Sequence, residues 1–174
     1  QSEDIQYRVK VSHPENNLVS EIKTILINNT DFRDKNFQIH VEITKDVDKR
    51  IEKFGLSDQF KSLGFKSGEI RPDLIIHKSQ SDINSDNQIF AMECKIDPNL
   101  NYRKFKKDLF KLMIYKDILN FKENLFLIAN NKNSKILKFL KRYQSEGMFF
   151  SDSGILILNI ENYGAVPELI FRNF

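Results

Sequence analysis

Apolar and polar positions follow two distinct periods along the chain, and these periods predict where helices and strands form. Apolar residues every three to four positions predict helices in four segments: 16–29, 46–54, 101–122 and 134–146. A further short turn of helix is predicted after Ser57. Alternation with period two, or a short apolar run, predicts strands in five segments: 37–43, 69–77, 88–96, 124–129 and 154–160.

The order of these elements indicates the fold class. The first three strands follow one another with only short helices and a polar loop (78–88) between them, which favours an antiparallel meander. The later strands alternate with helices, which favours parallel pairing through crossover connections. The sequence therefore predicts the α/β class. Its central sheet would be mixed, with antiparallel strands as in α+β proteins followed by parallel ones, and helices would cover both faces. Its 174 residues suit a single domain.

The long helix over 101–122 is apolar on two opposite sides. Phe105 and Leu109 lie on one side, and Phe110 and Ile114 lie on the other. A helix with two apolar sides is usually sandwiched, either inside its own domain or against a partner such as a second copy of the chain.

Positive charge is concentrated in one part of the chain. Residues 101–142 hold twelve Lys or Arg and three Asp or Glu, a local balance of +9. Because the whole chain carries +3, the remaining residues carry −6. This asymmetry favours a surface that faces a polyanion such as nucleic acid, and the alternative is a set of lysine-rich helix faces that contact only water.

The composition excludes several classes of protein. The single cysteine, Cys94, excludes an internal disulfide framework and a cysteine-based zinc site, and it fits a reducing, cytoplasmic setting. No apolar run approaches the roughly 18 residues of a membrane span, so no membrane partner is expected. The chain begins at Gln1 without an apolar signal-peptide region, and we expect it to be cut from a larger protein.

Charged side chains interrupt two predicted strands that are otherwise apolar. Glu93 and Lys95 are two residues apart, so they share one face of their strand, opposite Cys94. Asp73 follows Pro72 at the start of another apolar run. Charges are rarely placed near a core unless they are paired or bind a metal, so the pattern indicates a functional site. The alternative is a surface ion pair on an edge strand, with Asp73 ending a turn.

Pairing of these two strands would bring Asp73 close to Glu93. Two neighbouring carboxylates repel each other, and a divalent cation removes that conflict. Carboxylate oxygens, completed by waters and a substrate phosphate, suit Mg²⁺ or Mn²⁺. Lys95 would then orient a water or stabilise the charge that develops on the phosphate. The residues thus predict metal-assisted hydrolysis of a phosphodiester.

The sequence PD at 72–73, followed after nineteen residues by ECK at 93–95, resembles the signature of the PD-(D/E)XK nuclease superfamily. This superfamily includes type II restriction endonucleases, Holliday-junction resolvases and RecB-like nuclease domains. The resemblance implies a restriction-endonuclease-like fold with an αβββαβ core over about 16–130, and the residues over 131–174 would add a helix and a strand.

The resemblance also implies a role for each residue of the signature. Asp73 and Glu93 would be metal ligands, together with the backbone carbonyl of Cys94, and Lys95 would be the catalytic lysine. Many members add a glutamate from the first helix, and Glu21 is the candidate here. The alternative for Glu21 is an ordinary solvated helix residue.

Some members carry Gln-x-x-x-Tyr on the helix after this signature. Here Lys111 stands in place of the glutamine and Tyr115 is retained, so Lys111 is a candidate phosphate contact. Tyr115 is alternatively a residue at the edge of the core, and His77 is expected to be structural. Further candidate nucleic-acid-binding residues flank the expected site: Lys66, Arg71, Lys104 and Lys107.

The leading hypothesis is a Mg²⁺-dependent endonuclease that hydrolyses DNA, of restriction or defence type. A homodimer is expected for double-strand cleavage, because two active sites are then needed. One alternative is a nucleic-acid-binding or assembly module that keeps a nuclease-like fold without activity. A second alternative is a nuclease directed at RNA.

Overall fold

Helices and strands follow one another closely as the periodicity predicts. The computed structural model describes residues 14–29, 36–65, 69–78, 84–147, 154–162 and 164–173. Its helices are α1 (Pro14–Asn28), α2 (Asp48–Lys53), α3 (Ser57–Ser62), α4 (Tyr102–Asp117) and α5 (Asn133–Ser145). Its strands are β1 (Gln38–Val41), β2 (Lys45–Asp46), β3 (Glu69–Ile70), β4 (Leu74–His77), β5 (Gln88–Ile96), β6 (Glu123–Ala129), β7 (Ile155–Ile160) and β8 (Glu168–Asn173).

A mixed six-stranded sheet runs in the order β1-β4-β5-β6-β7-β8. Strands β1, β4 and β5 are antiparallel neighbours, whereas β5, β6 and β7 are parallel and are joined by the crossover helices α4 and α5. Strand β8 returns antiparallel to β7, and β2 and β3 form a small separate pair. The predicted α/β class with a mixed sheet is confirmed, including the change from antiparallel to parallel pairing at β5.

Several elements differ from the prediction, including the unpredicted strand β2. The strand predicted over 69–77 is divided at Pro72 into β3 and β4, because proline has no N–H for a sheet ladder. The long helix ends at Asp117, shortly before Asn120 takes a positive φ of 59° in the turn toward β6. Strand β8 was not predicted, because its residues lack the alternation of a half-buried strand.

The two faces of β5 support different layers of the molecule. Met92 and Cys94 pack in the layer under α1, together with Leu18. Ala91 packs in the opposite layer under α4, and Glu93 also meets α4 on that side. The predicted alternation is therefore confirmed, and it explains how a nearly continuous apolar strand presents a carboxylate to only one layer.

Helix α4 is buried on both of its apolar sides within its own chain. Phe105, Leu109, Phe110 and Ile114 are each 0% exposed and belong to one core. Residues of the sheet, α2, α3 and α5 complete that core. The two apolar sides are thus satisfied internally, and the predicted homodimer receives no support from this helix. Neither α4 nor any other described helix is long and apolar enough to cross a membrane.

Gly154, which precedes β7, offers a test of this packing. Its φ is +85°, and a Cβ placed there would overlap the backbone carbonyl of Lys122. We expect Gly154→Ala to lower the free energy of unfolding by about 3 kcal/mol. The positive φ strains an alanine backbone, and the added Cβ overlaps a backbone carbonyl that cannot move aside as a flexible side chain could. Gly147→Ala is the control, since Gly147 has a φ of +70° with open space around its Cβ position. Equal losses in the two variants, measured by denaturant unfolding, would contradict this packing.

Candidate active site

Antiparallel pairing of β4 with β5 brings Asp73 to Glu93. Leu74 pairs with Met92, so the register continues to Asp73 and Glu93, and the Asp73 N–H donates to the Met92 carbonyl at 3.1 Å. The Asp73 side chain accepts a hydrogen bond from the Cys94 N–H through Oδ2 at 2.6 Å. Backbone geometry thus fixes one carboxylate at the start of β4 beside the central strand.

Glu93 is held by two side chains from α4. Glu93 is only 1% exposed. Its Oε1 accepts a hydrogen bond from the Tyr115 hydroxyl at 2.8 Å, and its Oε2 forms an ion pair with the Lys111 ammonium group. Lys111 and Tyr115 are four residues apart, so they lie on the same side of the helix and reach the same carboxylate. Both residues therefore belong to the site. Their observed partner is Glu93, and a phosphate contact by Lys111 stays a prediction.

Lys95 lies between two carboxylates. Its Nζ is 3.2 Å from Glu15 Oε2 and 3.7 Å from Asp108 Oδ2. Asp108 also reaches Lys111 Nζ through Oδ1 at 3.3 Å, so it joins the two lysines of the site. The sequence reasoning missed Asp108, although its spacing of three residues from Lys111 and seven from Tyr115 places all three on one helix face.

Glu15, and not Glu21, is the α1 carboxylate beside the signature residues. Glu15 Oε1 accepts a hydrogen bond from the Ile96 N–H at 3.0 Å, in addition to its pairing with Lys95. Glu21 lies six residues further along α1, which corresponds to about 9 Å of helix rise, and it lines neither of the cavities described below. The prediction missed Glu15 because it began the helix at residue 16, whereas α1 begins at Pro14.

The other predicted residues have different positions relative to this site. Cys94 takes part through its N–H, its thiol is buried in the layer under α1, and a metal contact by its carbonyl stays a prediction. Lys104 and Lys107 line a cavity next to Lys95. Arg71 is exposed on the connection between β3 and β4, and Lys66 lies outside the described residues.

His77 has the structural role that was expected. It is 0% exposed within β4, and its ring contacts the ring of His40 on β1 with centroids 4.9 Å apart. These rings are therefore part of the packing between neighbouring strands.

Two carboxyl groups and two lysines of the site have raised pKa values. Burial raises the pKa of Asp73, and burial together with Asp73 and Asp108 raises the pKa of Glu93 to about 8 despite the opposing effect of Lys111. Burial alone would lower the lysine pKa values. The nearby carboxylates outweigh it, so the pKa of Lys95 and that of Lys111 both lie above the ordinary value.

Besides burial, the charges of the cluster contribute to these shifts. Its carboxylates are Glu15, Asp73, Glu93 and Asp108, and its ammonium groups are Lys95 and Lys111. With every group ionised the cluster carries a formal charge of −2, much of it out of contact with water. Such a site gains stability from additional positive charge, whether that charge is a proton or a cation.

The residues of the cluster fit a hard divalent cation in type and in charge. No group of three His, Cys, Asp or Glu side chains within the described ranges is arranged to hold a metal ion. Mg²⁺ does not require such a group, because it commonly binds through one or two carboxylates with waters and substrate phosphates. Asp73 and Glu93 provide two carboxylates of this kind.

Of the cavities that Glu15 lines, two also include a signature residue, Asp73 or Lys95. One has a volume of about 180 Å³ and is lined by acidic residues that include Glu15, Glu42 and Asp73. The other, of about 360 Å³, is lined by Glu15, Lys95, Asp97, Lys104, Lys107 and Asp108. Glu15 therefore stands between a negatively charged cavity and one that is lined by three lysines and three carboxylates.

Comparisons with protein-family models, curated proteins and solved structures find no match to this chain.

Proposed function

We propose that this chain is a Mg²⁺-dependent or Mn²⁺-dependent endonuclease that hydrolyses phosphodiester bonds in DNA, of restriction or defence type. The observation that carries the proposal is the largely buried cluster around Asp73, Glu93 and Lys95, in which four carboxyl groups meet two ammonium groups. The cluster contains two more carboxyl groups than ammonium groups. A divalent cation beside a phosphate diester is a ligand of matching charge and chemistry.

The topology supports the same proposal. A helix, three antiparallel strands, a crossover helix and a parallel strand form the αβββαβ order expected for a restriction-endonuclease-like core. In this chain those elements are α1, β1, β4, β5, α4 and β6, with α2 and α3 inserted after β1. The signature residues lie on the two central antiparallel strands, and the first and fourth helices contribute Glu15 and Asp108.

Asp73 and Glu93 would hold the cation, with the Cys94 carbonyl as a further oxygen ligand. When bound, the cation supplies a Lewis acid for a phosphate oxygen and lowers the pKa of a water. Tyr115 and Lys111 fix the orientation of Glu93 before any ligand arrives, so little reorganisation is needed at the carboxylate.

Lys95 would act as a positive charge and hydrogen-bond donor. Its pKa is raised by Asp108 and Glu15 against the effect of burial, so the amine is protonated at neutral pH and does not serve as a base. Its two carboxylate partners hold the ammonium group in the wall of the larger cavity. From there it would stabilise charge on the phosphate as the bond to the leaving oxygen breaks.

Nicking of supercoiled plasmid in Mg²⁺ or Mn²⁺ tests this function. We expect Asp73→Ala to lower the rate at least a hundredfold, because a proposed cation ligand is lost. Asp58→Ala, on the exposed face of α3, is the matched control and should cleave like the wild type. Equal rates for the wild type and Asp73→Ala would refute the assignment, and an RNA substrate run in parallel would reveal a nuclease directed at RNA.

One observation favours the second candidate, a nucleic-acid-binding module without activity. Both oxygens of Glu93 already have protein partners, Tyr115 and Lys111, and a lysine stands where the resembled motif has glutamine. A module of this kind would bind DNA without cleaving it, and Glu93→Gln would leave its Mn²⁺ titration unchanged. A nuclease would lose a Mn²⁺ site in the same variant, so isothermal titration with Mn²⁺ separates the two functions.

A further inference from the structure

Lys107 differs from the other lysines of α4 that surround the site. Lys104 pairs with Asp97, Lys106 pairs with Glu146, and Lys111 pairs with Glu93. Lys107 forms no ion pair with a carboxylate in the described part of the chain. Its Nζ lies 3.4 Å from the Gly64 carbonyl and 4.4 Å from the centre of the Phe65 ring.

The surroundings of Lys107 leave a positive charge to be balanced. Its side chain is partly buried, and burial followed by the charge of Lys111 lowers its pKa. The Gly64 carbonyl and the Phe65 ring provide only partial compensation for an ammonium group. An anion in the adjoining cavity would provide the rest.

The cavity beside Lys107 has room for such an anion, and its lining combines three lysines with the carboxylates of Glu15, Asp97 and Asp108. Its volume is about 360 Å³, and Lys95 and Lys104 also line it. The Lys104 side chain is 55% exposed and pairs with Asp97 at 2.6 Å, an exposed pair that costs little to rearrange. Lys104 can thus turn from Asp97 toward an anion held by Lys107, while Lys95 stays paired with Glu15 and Asp108.

We propose that this cavity, named here the phosphate cavity, binds a DNA backbone phosphate next to the one that is cleaved, through Lys104 and Lys107. The step from the scissile phosphate to its neighbour rests on the proposed nuclease function, since Glu15 lines both this cavity and the acidic one and pairs with Lys95. The binding itself requires only the lysines. Lys104 and Lys107 would position the strand so that the adjacent phosphate meets Lys95.

Binding of a short fluorescent DNA duplex in EDTA tests the phosphate cavity without any cleavage. We expect the double variant Lys104→Gln, Lys107→Gln to bind at least tenfold more weakly, and to lower the slope of log K against log salt by about two, because two phosphate contacts are lost. Lys106→Gln is the matched control. Lys106 lies on the same helix, and its ion pair with Glu146 has the same length, 2.6 Å, as the pair between Lys104 and Asp97. Lys106 does not line the cavity.

The outcomes separate this proposal from the nuclease proposal. Weaker binding in the double variant with a normal Lys106→Gln supports the phosphate cavity, even if the chain cleaves nothing. Equal weakening in all variants would overturn it in favour of a diffuse basic surface, and unchanged binding in the double variant would overturn it outright. Thermal unfolding checks the fold, and Lys104→Gln alone, at an exposed position, keeps the test valid if the double variant unfolds.

Discussion

Lys95→Met is expected to lower the rate of DNA cleavage about a thousandfold, the largest effect of any single substitution in this site. The Lys95 ammonium is fixed between Glu15 and Asp108, so its charge is held in the wall of the larger cavity, where the phosphate would lie. Methionine keeps the length of the side chain and removes only the charge and the hydrogen bonds. Single-turnover cleavage with saturating protein measures the chemical step apart from binding.

The fold should survive this substitution. Asp108 keeps its pairing with Lys111 at 3.3 Å, and Glu15 is partly exposed to water, so no buried charge is left alone. The control is Lys122→Met, which breaks an exposed ion pair with Asp86 away from the site. A Lys95→Met rate within tenfold of the wild type would remove Lys95 from the proposed chemistry, whatever the other variants do.

The sequence predicted the strands of the site well because their pattern is local. The alternation around Glu93 and Lys95 determines which side chains share a face, and the bounds predicted for β5 agree with those observed, Gln88–Ile96. Pro72 ends the preceding segment, so Asp73 lies directly before the first residue of β4. These features depend on neighbouring residues only, so one sequence is enough to find them.

The contacts that cross between elements were harder to predict. Glu15 comes from α1, eighty residues before Lys95, and nothing in the local pattern distinguishes it from Glu21. Asp108 looks like one charge among the many lysines of α4, and only the packing of that helix against β5 shows that it is buried. Whether such a residue belongs to the site depends on how its helix packs against the sheet, and that packing depends on the whole fold.

The unusual substitution in the resembled motif has a physical consequence. Lys111 brings a charge where a glutamine would bring only hydrogen bonds, so Glu93 gains a counter-ion within the protein itself. The sequence suggested Lys111 as a phosphate contact and left Tyr115 between the site and the edge of the core. It did not predict that they hold Glu93, because that contact depends on the position of α4 over the sheet.

The stability of the metal-free protein is expected to fall as pH rises from about 4.5 to about 8, through Glu93. Burial raises the pKa of Glu93 from 4.5 to about 8. Between these values the unfolded chain has released the proton that the folded chain still holds, so rising pH favours the unfolded chain. The loss amounts to about 4 kcal/mol by pH 8, and below pH 4.5 it vanishes.

The double variant Glu93→Gln, Lys111→Gln isolates this contribution. It removes the buried pair together, so neither charge is left alone, and the Tyr115 hydroxyl keeps an acceptor in the glutamine amide. The pKa of Lys111 lies above its ordinary value, so its own titration occurs far above this pH range. We expect urea unfolding in EDTA to show a shallower dependence on pH in the double variant. Parallel pH profiles would contradict the assignment of the slope to Glu93.

Mn²⁺ is then expected to restore the stability that the ionised carboxylate removes. A cation at a hundredfold excess over its dissociation constant stabilises the folded chain by about 2.7 kcal/mol. The gain should be larger at pH 8 than at pH 5.5, because at the lower pH a proton occupies Glu93 and competes with the cation. The double variant should gain less than the wild type. Equal stabilisation of both proteins would mean that Mn²⁺ binds elsewhere, and the excess of carboxylates beside Lys95 would then need another explanation.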